Sequence, residues 1–76
     1  MRKHGPNVWV VRRGGGFSIL EEKTGVYIVP PIAQRTAISV ARAIARANGS
    51  ELIVQGRRGQ IRFRDSHGSD PYPPKG

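Results

Sequence analysis

The stretch IAQRTAISVARAIARANG, Ile32 to Gly49, decides the fold. It holds no glycine or proline before its last residue, and Ala37, Val40, Ala41, Ile44 and Ala45 recur at the spacing of one helical face. Pro31 stands just ahead of the start. Asn48-Gly49 supplies the stop, because glycine accepts the left-handed conformation that closes a helix. The apolar face is rich in small residues, so the helix can lie close against a sheet. Arg35, Ser39, Arg42 and Arg46 follow one another at helical steps and stack on a polar face.

A strand hairpin reads on either side of this helix. Upstream, NVWVVRR (Asn7 to Arg13) is β-branched and aromatic, with apolar residues on both faces, which predicts a central strand. Gly14-Gly15-Gly16 turns it, and FSILEE (Phe17 to Glu22) returns. After a turn at Lys23-Thr24-Gly25, Val26 to Val29 leaves room for a short extra strand, confined to a sheet edge by Pro30 and Pro31. Downstream, ELIVQ (Glu51 to Gln55), the turn GRRG (Gly56 to Gly59) and QIRFR (Gln60 to Arg64) make the second hairpin. Strict alternation in its last strand puts Ile61 and Phe63 on one side and Arg62 and Arg64 on the other. The order β-β-α-β-β predicts a two-layer α+β fold, one helix on an antiparallel sheet. Residues 1–6 read as a flexible arm, 7–66 as the single domain, and 67–76, DSHGSDPYPPKG from Asp65 onward included, as a tail rich in proline and glycine.

The size of the chain limits what this fold can do. At 76 residues it is one domain, and one this short buries only about 60% of its unfolded surface. Cysteine is absent, so neither disulfides nor thiolate metal sites support it. No apolar run reaches the ~20 residues of a membrane span, and MRKHGPN is not followed by the apolar stretch of a signal peptide. A cytoplasmic protein with no membrane partner is the expectation. Thirteen Lys+Arg against five Asp+Glu give a net charge of +8. Arginine dominates, and its planar fork suits phosphate.

From the helix to the C-terminus the sequence resembles a family of small bacterial proteins, the domain of unknown function 2188 family. The resemblance rests on the alanine-rich helix Ala37–Ala45, the hairpin LIVQGRRGQIR and the tail HGSDPYPPKG, and it extends over roughly residues 7–76. Gly56, Gly59 and Ile61 match the hairpin pattern, and Gly68, Asp70 and Pro71 the tail. The chain departs from the pattern at Phe17, where tryptophan is frequent, and at the helix start PPIAQRT. The resemblance implies the α+β fold and brings no activity with it.

No residue set reads as catalytic. Asp65-Ser66-His67 contains triad residue types, but a triad is a matter of geometry, and a polar turn explains the run better. Glu21 and Glu22 are neighbours on a strand and point to opposite faces. The two histidines, His4 and His67, lie 63 positions apart, so no metal cluster forms. The glycines after Arg13 precede a strand rather than a helix and are a hairpin turn, not a phosphate cradle. The expectation is a non-enzymatic protein with no cofactor and no small-molecule substrate.

The remaining signal is positive charge. The helix face Arg35, Arg42 and Arg46, the turn Arg57 and Arg58, and the strand face Arg62 and Arg64 read together as a surface for the phosphates of DNA or RNA with weak sequence preference, with Arg57, Arg58, Arg62 and Arg64 as main contacts and Arg42 and Arg46 as secondary ones. Trp9, Tyr27 and Tyr72 add stacking surfaces if they share an open sheet face with the arginines. The competing reading is ordinary solvated arginine, with a half-apolar sheet face (Trp9, Val11, Leu20, Ile53, Arg62, Arg64) or the edge Val26–Val29 joining two copies in a homodimer, or binding another protein. If the helix covers the face of Ile61 and Phe63, its arginines lie across the domain from Arg62 and Arg64, and no single patch forms.

Overall fold

The computed structural model describes residues 5–66. The predicted elements are present: β1 (Val8–Arg13), β2 (Gly16–Glu21), β3 (Val26–Tyr27), α1 (Gln34–Asn48), β4 (Glu51–Gln55) and β5 (Ile61–Ser66). They form one sheet in the order β3-β2-β1-β4-β5, with the helix on one face. The extra strand is real, so the element order is β-β-β-α-β-β, although β3 has two residues rather than the four expected of Val26–Val29.

The sheet is mixed, which corrects the antiparallel expectation: β4 runs parallel to β1, pairing Val8 with Leu52 and Val10 with Val54. The reason is the crossover. After β3 the chain follows β2 back, where Phe17 and Ile32 exchange two backbone hydrogen bonds of 2.8 Å, so the helix begins at the end where β1 finishes. The helix carries the chain to the other end, and β4 must set out from where β1 began. Consequently β1 is central, as its two apolar faces predict, and the turns of the two hairpins share one end of the domain.

The core lies between sheet and helix. Val8 and Val10 of β1, Phe17 and Ile19 of β2, and Leu52 and Val54 of β4 pack against Ala37, Ala41 and Ala45. These alanines are fully buried, and their small side chains let the backbone of α1 approach the sheet. Gly49 ends the helix in the left-handed conformation (φ 65°, ψ 37°), its N–H donating to the carbonyls of Ala45 and Arg46. At the same end the Gly5 N–H donates to the Asn48 carbonyl and Asn48 Nδ2 donates to the Pro6 carbonyl. These two residues of the segment read as an arm are therefore fastened to the helix. Residues 1–4 and the tail 67–76 lie outside the described residues.

The last strand departs from strict alternation. Pairing passes from Val54–Phe63 to Gln55–Ile61, so Arg62 is an extra residue in β5. A bulge of this kind inverts the alternation beyond it. Phe63 packs on the core, whereas Ile61 pairs with Gln55 on the helix-free face and is 47% exposed. Arg62 turns to the helix side, where its Nη1 donates to Gln34 Oε1 at 2.8 Å. The expected pairing of Ile61 with Phe63, and of Arg62 with Arg64, is thereby overturned, and Arg62 leaves the mixed face on which it was expected.

Candidate nucleic-acid interface

Strand direction sorts the charges. Arg12 and Arg13 close β1, Arg35 lies in the first turn of α1, and Arg57, Arg58 and Arg62 flank the turn into β5. All six have their backbone at the end where the helix begins, although the Arg13 side chain turns back along the sheet to Tyr27. Glu21 closes β2 and Glu22 follows it at the far end, Glu51 opens β4, and Asp65 lies near the end of β5. Thus the four described carboxylates stand away from the arginine cluster, and among the described residues none of the six arginines is paired with a carboxylate.

Two adjoining clefts occupy the cationic end. The larger, about 670 Å³, is lined by Arg12, Gly16, Phe17, Ile32, Ala33 and Arg57, among others. The smaller, about 370 Å³, lies between Gln34, Gly56, Arg57, Arg58 and Arg62. Arg12 Nη1 donates to the Arg57 carbonyl and ties the two hairpin turns together. Gln34 Nε2 donates to the Gln55 carbonyl, which fastens the helix start to β4. Ala33 precedes the helix without a side-chain cap, and no acid occupies the first turn. The positive end of the helix dipole therefore adds to the arginine field instead of being neutralised.

The structure splits the arginines expected to bind. Arg57, Arg58 and Arg62 meet at the cationic end. Arg42 does not join them: its Nη2 lies 2.9 Å from Asp65 Oδ2. Arg64 lies on the helix-free face, 3.6 Å from Glu51. Arg46 is in the last helical turn, at the opposite end of α1. Arg35, of the expected helix face, does lie at this end, in the first turn of α1, whereas Arg12 and Arg13, which close β1, were not among those expected. The parallel pairing of β1 with β4 brings Arg12 and Arg13 beside the GRRG turn, and no sequence pattern announces that pairing.

On the helix-free face, the strand register lines up Tyr27, Leu20, Trp9, Ile53 and Arg64 in one row across all five strands. Trp9 Nε1 donates to Glu22 Oε1 at 2.7 Å, which fixes the indole. The Arg13 guanidinium lies over the Tyr27 ring, 3.9 Å from its centroid. Trp9 and Tyr27 thus share the helix-free face with Arg13 and Arg64, while Tyr72 lies outside the described residues.

Among the described residues no group of three or more His, Cys, Asp or Glu could hold a metal ion, and no helix is long and apolar enough to cross a membrane. Fold and charge together define a small two-layer α+β domain with one arginine-rich end. Residues 29–67, just over half of the chain, match the family described as "Uncharacterized protein conserved in bacteria (DUF2188)", and the chain belongs to that family. The match takes in the helix and the C-terminal hairpin, with the helix start and the Arg57, Arg58 and Arg62 side of the site. It stops short of the N-terminal hairpin, which supplies Arg12 and Arg13, and of the Gly68–Pro71 stretch. No curated protein and no solved structure matches the chain.

Proposed function

We propose that this domain binds nucleic acid through phosphates at its cationic end, without catalysis and with little sequence preference. The observation that carries this reading is the sorting of charge along the strands: Arg12, Arg35, Arg57, Arg58, Arg62 and an uncapped helix start at one end, every described carboxylate away from them. Solubility requires net charge but not its segregation. Arg57 and Arg58 are exposed on a turn, so little is lost when they contact phosphate. Arg12 and Arg62 are held by backbone and glutamine oxygens, which leaves their charge uncompensated while restricting their side chains. Arg42 and Arg64, each beside a carboxylate, contribute little.

The test is a salt titration of binding to DNA and RNA. If about four phosphates are neutralised on a duplex, log K falls against log salt with a slope of roughly −3 to −4. Arg57→Ala/Arg58→Ala should flatten that slope by about 2, and Arg42→Ala should leave it unchanged. Absence of binding to either nucleic acid at low salt, with the protein folded, would overturn the proposal in favour of a protein partner.

A further inference from the structure

We infer that the helix-free face takes unstacked bases of single-stranded nucleic acid, with the Arg13–Tyr27 pair as its stacking platform; this rests on the phosphate reading above and specifies its ligand. Arg13 links the two surfaces, with its backbone at the cationic end and its guanidinium on the helix-free face. It closes β1 beside the Arg12 and Arg57 cleft, and it reaches across β2 to lie on a tyrosine of β3. Its route passes over Gly16 and Ser18, and a glycine at the position paired with Arg13 leaves the path clear.

A guanidinium held over an aromatic ring offers its second face, and bases stack on guanidinium planes as they do on aromatic rings. Tyr27 is 44% exposed at the sheet edge, so the platform is open to solvent. Trp9 lies in the same row, one strand beyond Leu20, with its indole fixed by Glu22. A single strand can set its phosphates against Arg12 and Arg57 and stack a base on the Arg13–Tyr27 pair at the sheet edge. A duplex keeps its bases stacked inside and has no use for the platform.

The rival occupant is a second copy of the chain, and burial argues against it. The apolar centre of the face is already shielded within one chain, with Val11 8% and Ile53 2% exposed, so a second copy would gain little apolar area there.

The experiment compares oligo(dT) and oligo(rU) with a hairpin duplex, using wild type, Arg13→Lys, Tyr27→Ser, Tyr27→Phe and Arg57→Ala/Arg58→Ala, each checked for folding by circular dichroism. Arg13→Lys keeps the charge and removes the planar group. It and Tyr27→Ser should each weaken binding to the single strands about tenfold and leave duplex binding unchanged, while Tyr27→Phe should behave as wild type. Trp9 is the sole tryptophan, so quenching of its emission by the single strands but not the duplex is the expected direct signal. Single-strand binding by Arg13→Lys equal to wild type would overturn this inference and leave the phosphate reading intact. Failure of the wild type to bind any of the three probes would overturn both. Loss on Arg57→Ala/Arg58→Ala alone, with the platform variants unaffected, would confine the site to the cationic end.

Discussion

The Arg42 guanidinium stands 2.9 Å from the Asp65 carboxylate, joining the solvent side of the helix to the outermost strand of the sheet. The pair withdraws one arginine from any phosphate surface and gives it a structural role. Both side chains are a little over one-third exposed, which limits the pair to less than about 1 kcal/mol after solvent screening. In a double-mutant cycle of Arg42→Gln and Asp65→Asn followed by urea unfolding, the coupling should fall in that range and shrink further at high salt. A coupling above about 2 kcal/mol would mean that the pair is better shielded than its exposure indicates.

Gly16 has a steric reason to be glycine. A Cβ there would lie 2.7 Å from the Ile32 carbonyl oxygen and 3.1 Å from its nitrogen, both backbone atoms that cannot swing aside. These atoms make the Phe17–Ile32 bridge that leads the chain from the sheet to the helix. Gly16→Ala should destabilise the protein by about 1–3 kcal/mol. Gly15→Ala, with nothing within 4 Å of its Cβ, should fall within about 0.5 kcal/mol of wild type. Equal stability of the two variants in urea melts would refute the steric argument.

Ser18 is fully buried on the helix-free face, and its Oγ has no hydrogen-bond partner among the described residues. A buried hydroxyl in that state carries its desolvation cost uncompensated. Ser18→Ala should therefore raise stability, by about 1 kcal/mol, where removing a buried side-chain atom ordinarily lowers it. The midpoint of urea unfolding should move upward with the slope unchanged. A clear drop would show that the hydroxyl is satisfied in solution.

The helix and both hairpins were legible in the sequence because their signals are local. Ala37, Ala41 and Ala45 repeat at helical spacing, Gly49 caps, and glycine marks each turn. The sheet partners were not, because pairing β1 with β4 is a contact across more than forty residues that leaves no periodic trace. Alternation also misled at one point: the bulge at Arg62 adds a residue that looks like any other member of the pattern, and one residue inverts the face of all that lies beyond it. The same two facts explain the candidate site. The GRRG turn was visible as basic, whereas its junction with Arg12 and Arg13 depends on the parallel pairing, and the removal of Arg42 and Arg64 depends on where Asp65 and Glu51 fall in the register.

Gln34 separates structural from electrostatic contributions at the cationic end. Its Nε2 donates to the Gln55 carbonyl at 3.1 Å and its Oε1 accepts from Arg62 at 2.8 Å, so one neutral side chain holds the helix start, β4 and the bulge together. Gln34→Ala removes both hydrogen bonds, each worth about 0.5–1.5 kcal/mol, but no charge. Stability should fall by about 1–2 kcal/mol. The salt dependence of nucleic-acid binding should keep its slope, because the number of phosphates neutralised is set by the arginines. Arg62→Ala reverses the pattern: it also loses the bond to Gln34, but it lowers the slope by about 1. Unfolding in urea and a salt titration on the same two variants read the two effects separately. If Gln34→Ala flattened the slope as much as Arg62→Ala, the phosphate contacts would depend on how Arg62 is held and not on its charge alone.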